Sequence, residues 1–248
     1  MSIHIPRTPR LDERLRAAFE LVHPCQVCAD IGADHGQLSA ALLLDGRARY
    51  MLVVDRSAKS LMKAQNCLKI LGLDDRATFA EADGLDALDF LPGKRIDTIC
   101  ILGMGAETIA GILLRGQERL RGSSLVLGAQ TKLPMLRQAV EKIGYRIREE
   151  RPAHRLGRWY LLMRATPALE EEAAYGAREL FVGPCLLREK PLQGKVFLLH
   201  RKRLLLLMIQ AMKQAKQDKD QQRLVRLESE LRHLENALSE DGWKESVV

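Results

Sequence analysis

The sequence of 248 residues has few aromatic residues, few cysteines and no long apolar segment. Aromatic residues make up 4% of the chain. The five cysteines are an odd number spread over a long sequence, unlike the cysteines of a secreted disulfide framework. The best apolar run, Leu204 to Ile209, is far shorter than the roughly 18–20 residues that cross a bilayer. These absences exclude a disulfide-stabilised protein and a membrane-spanning one.

The composition is that of a soluble globular protein, with 46% hydrophobic and 29% charged residues. Prolines and charges stand in residues 1–10, where a secretory signal needs an uninterrupted apolar segment, so we expect a cytoplasmic protein. Cys25 and Cys28 form a Cys-x-x-Cys pair. No second Cys or His pair stands at ligand spacing, and Cys28 lies in an apolar strand pattern, so we predict no metal site.

Positive charge is concentrated in the first two thirds of the chain, where most of the net charge of +7 resides. Two stretches carry the excess, Arg115 to Arg137 and Arg146 to Arg164. If both lie on one face, that face attracts phosphates, with an affinity that falls as salt rises. A solvated rim on a basic protein explains the charge equally well, so charge alone only nominates a nucleic-acid partner.

Strand and helix patterns alternate through residues 1–165. Apolar runs predict strands at 27–31, 50–54, 77–81, 96–102, 124–128, 145–150 and 159–164. Helical spacing of apolar residues predicts helices at 11–22, 57–71, 107–114 and 134–143. This alternation is typical of a doubly wound α/β sheet, which we predict as the first domain.

Residues 166–248 are predicted to form a second, helical unit, because the stretch from Pro167 to Glu172 breaks the alternation. Leucines 224, 227, 231, 234 and 238 are spaced alternately by three and four residues, as in a coiled-coil seam. A helix at 195–217 precedes them, and the polar segment from Gln217 to Gln221 separates the two. The prediction is an antiparallel coiled-coil hairpin.

The segment Asp30-Ile-Gly-Ala-Asp-His-Gly36 follows the first strand and resembles a nucleotide-binding turn. Gly32 has no side chain, so a cofactor can approach the backbone closely. Asp55 follows Gly32 at a sequence spacing typical of the acid that binds ribose in dinucleotide-binding folds. Asp34 stands where a dinucleotide-binding turn has a glycine, and its charge would repel a pyrophosphate. This disfavours a nicotinamide oxidoreductase and favours a cationic, phosphate-free nucleoside cofactor, S-adenosylmethionine.

Two further motifs follow the next strands along the chain. Asp83-Gly84 follows the third strand and offers a carboxylate to an exocyclic adenine amine, and Gly103-Met104 follows the fourth, where the methyl group would be delivered. In an open parallel sheet, ligands bind at the carboxyl ends of the strands, where all these motifs lie. Each motif alone is more often a structural turn, but together they predict a methyltransferase.

The motif after the fourth strand, Gly103-Met-Gly-Ala106, lacks the Asn or Asp followed by prolines that polarises an exocyclic amine. An acceptor with its own in-plane lone pair, such as a ring nitrogen of adenine, needs orientation more than a strong base. Lys94, Arg137 or the segment around His154 would then position phosphates.

Asp34 and His35 are the candidate catalytic residues, since they could stabilise the methylated base or take its exocyclic proton. The alternative is that Asp34 only tethers the methionyl amine and His35 only braces the loop.

These motifs resemble the bacterial tRNA (adenine-22-N1)-methyltransferases, the TrmK family, over nearly the whole chain. The resemblance rests on Arg10-Leu11, Asp30-Ile-Gly-Ala-Asp-His35, Asp83-Gly-Leu85, Gly103-Met-Gly105, Leu125-Val-Leu127, Arg137, Gly183-Pro184 and Glu189-Lys190. It implies a class I fold that uses S-adenosylmethionine to methylate N1 of an adenosine in the D-arm region of tRNA. The family's cofactor contacts would fall on Arg10, Asp30, Gly32, Asp55, Asp83 and Met104.

The sequence departs from the family at Gly36-Gln37-Leu38-Ser39, at Gly105-Ala106 and at Gly128-Ala129-Gln130. The last segment should flank the acceptor. Two alternatives therefore stay open: methylation of another RNA nitrogen, and a non-catalytic RNA-binding protein that retains cofactor affinity.

Overall fold

The computed structural model describes residues 9–214 and 221–245. The strands are β1 (Cys25–Ile31), β2 (Ala48–Asp55), β3 (Ala77–Glu81), β4 (Thr98–Ile101), β5 (Ser124–Ala129), β6 (Tyr145–Arg155) and β7 (Arg158–Pro167). The helices are α1 (Glu13–Leu21), α2 (Gln37–Asp45), α3 (Ala58–Ile70), α4 (Ala106–Arg115), α5 (Leu133–Lys142), α6 (Ala177–Val182), α7 (Pro184–Glu189), α8 (Leu192–Gln214) and α9 (Gln221–Ser239). Short 3-10 helices lie at Asp74–Arg76, Gly84–Phe90 and Gln117–Arg119.

The seven strands form one mixed sheet in the order β3-β2-β1-β4-β5-β7-β6. Paired strands among β1 to β5 run parallel, whereas β7 runs antiparallel to both β5 and β6. The chain proceeds from β1 to β3 on one side and returns through β4 on the other. This confirms the predicted doubly wound sheet and puts its switch point between β1 and β4, where such folds bind ligands.

The central strands are buried on both faces, which is why they read as continuous apolar runs. Ala29 and Ile31 of β1 belong to one hydrophobic cluster, which also holds residues of α4, α5, α8 and α9. Cys28 belongs to a second cluster on the opposite face, with residues of α1, α2 and α3. Helices therefore cover both faces of the sheet.

The C-terminal region is helical, as predicted, and α8 packs against α9. Lys202 pairs with Glu235 at 3.0 Å and Lys213 with Glu228 at 2.9 Å, so the two helices run in opposite directions. Leu227 and Leu234 of the leucine series are buried in the cluster that covers the sheet. Supercoiling of the pair stays a prediction, and most of the predicted polar break lies outside the described residues.

The division of the chain at residue 165 also stays a prediction. Strand β7 continues to Pro167, and the C-terminal helices share one hydrophobic cluster with the sheet. Helices α6 and α7 are missing from the sequence prediction, because six residues are too few to show a helical period.

No helix in the described part of the chain is long and apolar enough to cross a membrane. Within residues 9–214 and 221–245, no three His, Cys, Asp or Glu side chains lie together as a metal site requires. Cys28 and Cys100 are free cysteines in the core with their Sγ atoms 3.8 Å apart.

Candidate active site

A cleft of about 830 Å³ opens at the carboxyl edge of the sheet. The segments that follow β1, β2, β3 and β4 form its walls. Its lining includes nine predicted site residues: Asp30, Gly32, Asp34, His35, Asp55, Asp83, Gly84, Gly103 and Met104. The tenth, Arg10, is exposed and is not among the lining residues.

Gly32 brings the first loop against the end of β4. Its φ is +78°, and a Cβ on it would lie 2.6 Å from Met104 Cε and 3.0 Å from the Leu102 carbonyl oxygen. A side chain at this position would therefore both strain the backbone and displace Met104. The glycine is required by the contact between the two loops as well as by the space that a cofactor needs.

The Asp55 carboxylate is fixed in place by backbone groups. Its Oδ2 accepts the Asp34 N–H at 3.1 Å, and its Oδ1 accepts the Ser57 N–H at 2.9 Å. Each carboxylate oxygen keeps a further lone pair, so the group can still accept hydrogen bonds from two vicinal hydroxyls. This arrangement suits the ribose contact that the spacing predicts.

Asp30 lies at the buried floor of the cleft, with 2% of its surface exposed. Burial raises its pKa to about 6, and the neighbouring Asp55 charge acts in the same direction. Ser39 Oγ donates to Asp30 Oδ2 at 2.7 Å and opposes part of that rise. A carboxylate deprived of water in this way is stabilised by a cation in the cleft.

The third and fourth loops complete the walls. The Asp83 side chain is half-exposed, with Oδ1 3.8 Å from Arg56 Nε. Gly84 is buried against Ile112, whose Cγ2 would lie 3.0 Å from a Cβ on Gly84. Met104 packs partly on the core beneath the cleft.

Asp34 and His35 stand at the rim of the cleft. Their side chains are 67% and 54% exposed, and Asp34 Oδ1 lies 3.6 Å from His35 Nε2. Both are open to a large substrate that covers the cleft, which is compatible with either predicted role.

Sequence reasoning missed Arg14, which lines the cleft from the first turn of α1. A Cβ added to Gly103 would lie 4.0 Å from Arg14 Nη1. The buried Nε of Arg14 has no hydrogen-bond partner among the described residues. Arg155 of β6 also lines the cleft and pairs with Asp12 at 3.1 Å. No motif marks these arginines, because their positions depend on how α1 and β6 pack.

The cations of the two predicted basic stretches are divided between the two edges of the sheet. Arg115 ends α4, which leads away from the carboxyl edge, and Arg121 precedes the amino end of β5, so both lie at the edge opposite the cleft. Lys94 is also remote, since its Nζ lies 4.2 Å from the ring centroid of Tyr50, near the amino end of β2. These three cations are not among the residues that line the cleft.

Arg137 was predicted to bind phosphate, and this prediction is wrong because its side chain is fully buried. Arg137 Nη2 lies 2.8 Å from Glu150 Oε1, and the guanidinium also donates to carbonyl oxygens of residues 180–182 at the end of α6. Glu150 accepts the backbone N–H groups of Cys185 and Leu186 in α7. The pair therefore ties the sheet to the C-terminal helices.

Arg146, from the second stretch, is also buried and lies 3.5 Å from Glu141. Arg148 and Arg164 pair with Glu172 and Glu149. These three side chains are therefore neutralised within the protein, whereas Arg155 and Arg158 of the same stretch lie at the β6–β7 turn.

The cleft has the chemistry of a site for a cationic nucleoside. Asp30, Asp34, Asp55 and Asp83 surround it, and Gly32 leaves room for close approach. A profile of the methyltransferase-domain family matches residues 11–163. The chain belongs to this family.

Individual relatives of this methyltransferase are consistent with that assignment. The tRNA (adenine(22)-N(1))-methyltransferase of Bacillus subtilis (strain 168) is 28% identical over 186 residues, which are 73% of this chain and 76% of that protein. An uncharacterised protein of Listeria monocytogenes serotype 4b has 25% identity and a TM-score of 0.82, over 93% of this chain and 100% of that one.

A putative tRNA (m1A22) methyltransferase of Streptococcus pneumoniae, solved with S-adenosyl-L-methionine, has 20% identity and a TM-score of 0.80. The match covers 92% of this chain and 100% of that one. At this identity the likeness shows the fold, and it extends through the C-terminal helices.

Proposed function

We propose that this methyltransferase transfers the methyl group of S-adenosylmethionine to N1 of an adenosine in tRNA, at position 22 in the D-arm region. The observation that carries the proposal is the cleft, where four carboxylates and the Gly32 turn meet Gly103-Met104 at the sheet's switch point. The activity of the Bacillus subtilis relative supports the choice of acceptor.

The residues present fit this cofactor. Asp55 offers its fixed carboxylate to the ribose hydroxyls, and Asp83 offers one to the adenine amine. Asp30 faces the methionyl ammonium end, and Arg14, whose Nη1 lies near Gly103, binds the methionyl carboxylate. Arg10 remains a proposed cofactor contact, and Arg14, which lines the cleft, is better placed for this role. When bound, S-adenosylmethionine supplies an electrophilic methyl group on a sulfonium.

The acceptor is a base that presents its own lone pair. Gly103, Met104 and Gly105 offer no carboxylate or amide to polarise an exocyclic amine, so the protein's contribution is to orient a ring nitrogen and exclude water. Methylation leaves a positive charge on the base. Asp34 and His35, at the rim, stabilise that charge or accept the exocyclic proton, which makes them the proposed catalytic residues.

Cations at the carboxyl edge hold the RNA backbone. Arg56 and Lys59, after β2, are exposed on one side of the cleft. Arg158 is exposed on the other, at the β6–β7 turn, next to Arg155, which is paired with Asp12. The C-terminal helices extend this surface. Since tRNA is the proposed substrate, the proposed location is the cytoplasm.

The decisive experiment maps the methylated nucleotide after incubating the protein with labelled S-adenosylmethionine and an unmodified tRNA transcript. A transcript with guanosine at position 22 is the matched control. We expect N1-methyladenosine at position 22 in the first transcript only, together with thermal stabilisation of the protein by the cofactor.

Two other outcomes favour the alternatives. Label on a different nitrogen identifies another RNA methyltransferase, and stabilisation by the cofactor without label in RNA identifies a binding protein. Binding of a pyrophosphate-containing nucleotide in place of S-adenosylmethionine overturns the proposal.

A further inference from the structure

A second cleft of about 710 Å³ lies between the sheet and α8. It is lined by the segment after β5, the β6–β7 turn, and side chains of α8 and α9. Its lining includes Lys132, Arg158, Trp159, His200, Arg201 and Leu204. None of them lines the first cleft.

The second cleft adjoins the first along the same edge of the sheet. Gln130 follows the carboxyl end of β5, and β5 pairs in parallel with β4, which ends just before Gly103. Strand β7 is antiparallel to β5 and pairs Leu161 with Ala129, so Trp159 lies at this same edge. An ion pair of 2.5 Å between Lys132 and Glu107 joins the two walls. A polymer lying across the first cleft therefore reaches the second.

Arg201 brings a positive charge into the second cleft, and the carboxylate on the same wall, Glu230, is paired with Arg226. Its guanidinium lies 4.4 Å from the ring centroid of Phe181 and donates to the Phe181 carbonyl oxygen at 2.8 Å. No described carboxylate forms an ion pair with it. Although the Glu230 and Glu150 charges oppose the change, two effects, burial in apolar surroundings and the Arg137 charge, lower the pKa of Arg201 to about 9. Both effects would be relieved by a bound anion.

An aromatic platform stands beside this charge. Trp159 is half-buried, and its ring centroid lies 5.0 Å from that of His154 and 6.3 Å from that of His200. Arg158, next to it, is exposed and forms no ion pair with the described residues. An aromatic surface flanked by free arginines is how proteins bind an unstacked base and its phosphate.

We propose that the second cleft binds a nucleotide of the RNA substrate other than the methylated one, with the base on Trp159 and His200 and the phosphodiester on Arg201 and Arg158. The inference rests on the proposed function only in that the substrate is RNA. Charge selects this occupant over an apolar peptide. The other cations of the cleft, Lys132 and Arg226, are already paired with carboxylates, which leaves Arg158 and Arg201 for a polyanion.

Two exposed leucines on α8 provide a test with a matched control. Leu204 lines the cleft and Leu206 does not, yet they are 45% and 44% exposed. We expect Leu204→Glu to weaken binding of an unmodified tRNA transcript by about tenfold at low salt, and Leu206→Glu to change it by less than about twofold. The Kd for S-adenosylmethionine should be unchanged in both. Equal RNA affinity of the two variants overturns the proposal.

Removing the charge itself gives a second test. Arg201→Met should weaken tRNA binding and reduce the salt dependence of that binding by about one phosphate contact. The midpoint of thermal unfolding should be unchanged or higher, because the substitution removes a desolvated cation. The control is Arg203→Met, on the same helix outside the cleft. Equal weakening by both variants shows a diffuse charge effect and overturns the site.

Fluorescence reports on the platform directly, since Trp159 and Trp243 are the two tryptophans of the chain. We expect tRNA to quench the emission of the wild-type protein and not that of Trp159→Phe. Quenching that persists in Trp159→Phe contradicts the assignment. These experiments measure RNA binding and not methyl transfer. They therefore test the second cleft even if no methyl transfer is detected, and only the absence of methyl transfer would contradict the proposed function.

Discussion

The backbone N–H of Asp34 donates to Asp55 Oδ2 at 3.1 Å, so the first loop is held to the end of β2 by a main-chain group and not by the Asp34 side chain. That side chain is exposed at the rim of the cleft beside His35. The loop can therefore keep its shape when the Asp34 charge is removed, which separates the loop's architecture from its chemistry.

Asp34→Asn is expected to lower kcat by about 100-fold at saturating cofactor, the scale of a lost acid–base group. Asn also tolerates the positive φ of 49° at this position, so stability should change by less than about 0.5 kcal/mol. His35→Gln, which keeps a polar side chain, should also lower kcat. Steady-state kinetics and cofactor calorimetry check this. Normal kcat with lost cofactor affinity would assign the two residues to cofactor binding instead.

Gly32→Ala is expected to abolish cofactor binding. It should also lower the free energy of unfolding by more than the backbone strain of a positive φ alone would. Gly46→Ala is the matched control, because Gly46 has nearly the same φ, +77°, with no atom within 4 Å of an added Cβ. The control should cost about 1 kcal/mol. Gly32→Ala should cost several kcal/mol in urea unfolding, because Met104 and the Leu102 carbonyl must move. Equal costs for the two variants would show that the contact is unimportant.

Asp30 should make stability depend on pH. Its folded pKa, about 6, is raised above the usual value of 3.8, so its favourable contribution is complete below pH 4 and is lost as pH rises through 6. Asp30→Asn removes the buried charge and keeps an acceptor for Ser39. Its unfolding free energy should exceed that of the wild type by on the order of 2–3 kcal/mol at pH 7.5, with the difference vanishing near pH 4.

The titration of Asp30 should also affect cofactor binding, but ionisation should strengthen binding where it weakens stability. Ionised Asp30 favours a cationic ligand, so the wild-type affinity for S-adenosylmethionine should fall as pH is lowered from 7.5 to 5. Asp30→Asn should bind more weakly at pH 7.5 and show a smaller change. Parallel pH profiles for the two proteins would mean that Asp30 does not sense the cofactor.

The buried pair of Arg137 and Glu150 is predicted to support the fold and not RNA binding. Arg137→Met leaves Glu150 charged and buried, which should cost about 3–5 kcal/mol in chemical unfolding. The double change to Met and Gln should recover part of that loss. At low temperature the folded Arg137→Met protein should bind tRNA with normal affinity. Weaker RNA binding without loss of stability would instead support the prediction from the sequence that Arg137 contacts phosphate.

Local patterns in the sequence identified the sheet and most of the first cleft. Consecutive parallel strands end at one edge, so motifs that directly follow β1, β2, β3 and β4 must meet there, and Asp30, Asp55, Asp83 and Met104 do line one cleft. The predicted ends of the strands were less accurate. Strand β4 is Thr98–Ile101, which is shorter than the predicted 96–102, because apolar residues in the neighbouring loops extend the apolar run.

The sequence by itself determined the order of the strands and of the longer helices, and the acidic, glycine-containing loops, since these depend on short-range periodicity and spacing. Tertiary structure decided which charges are free. Arg137 and Arg201 look alike in the sequence, yet one is paired with Glu150 in the core and the other faces a cleft without a carboxylate partner among the described residues. The reason is that the value of a charge depends on its desolvation and on partners far away in the chain, which no local pattern records.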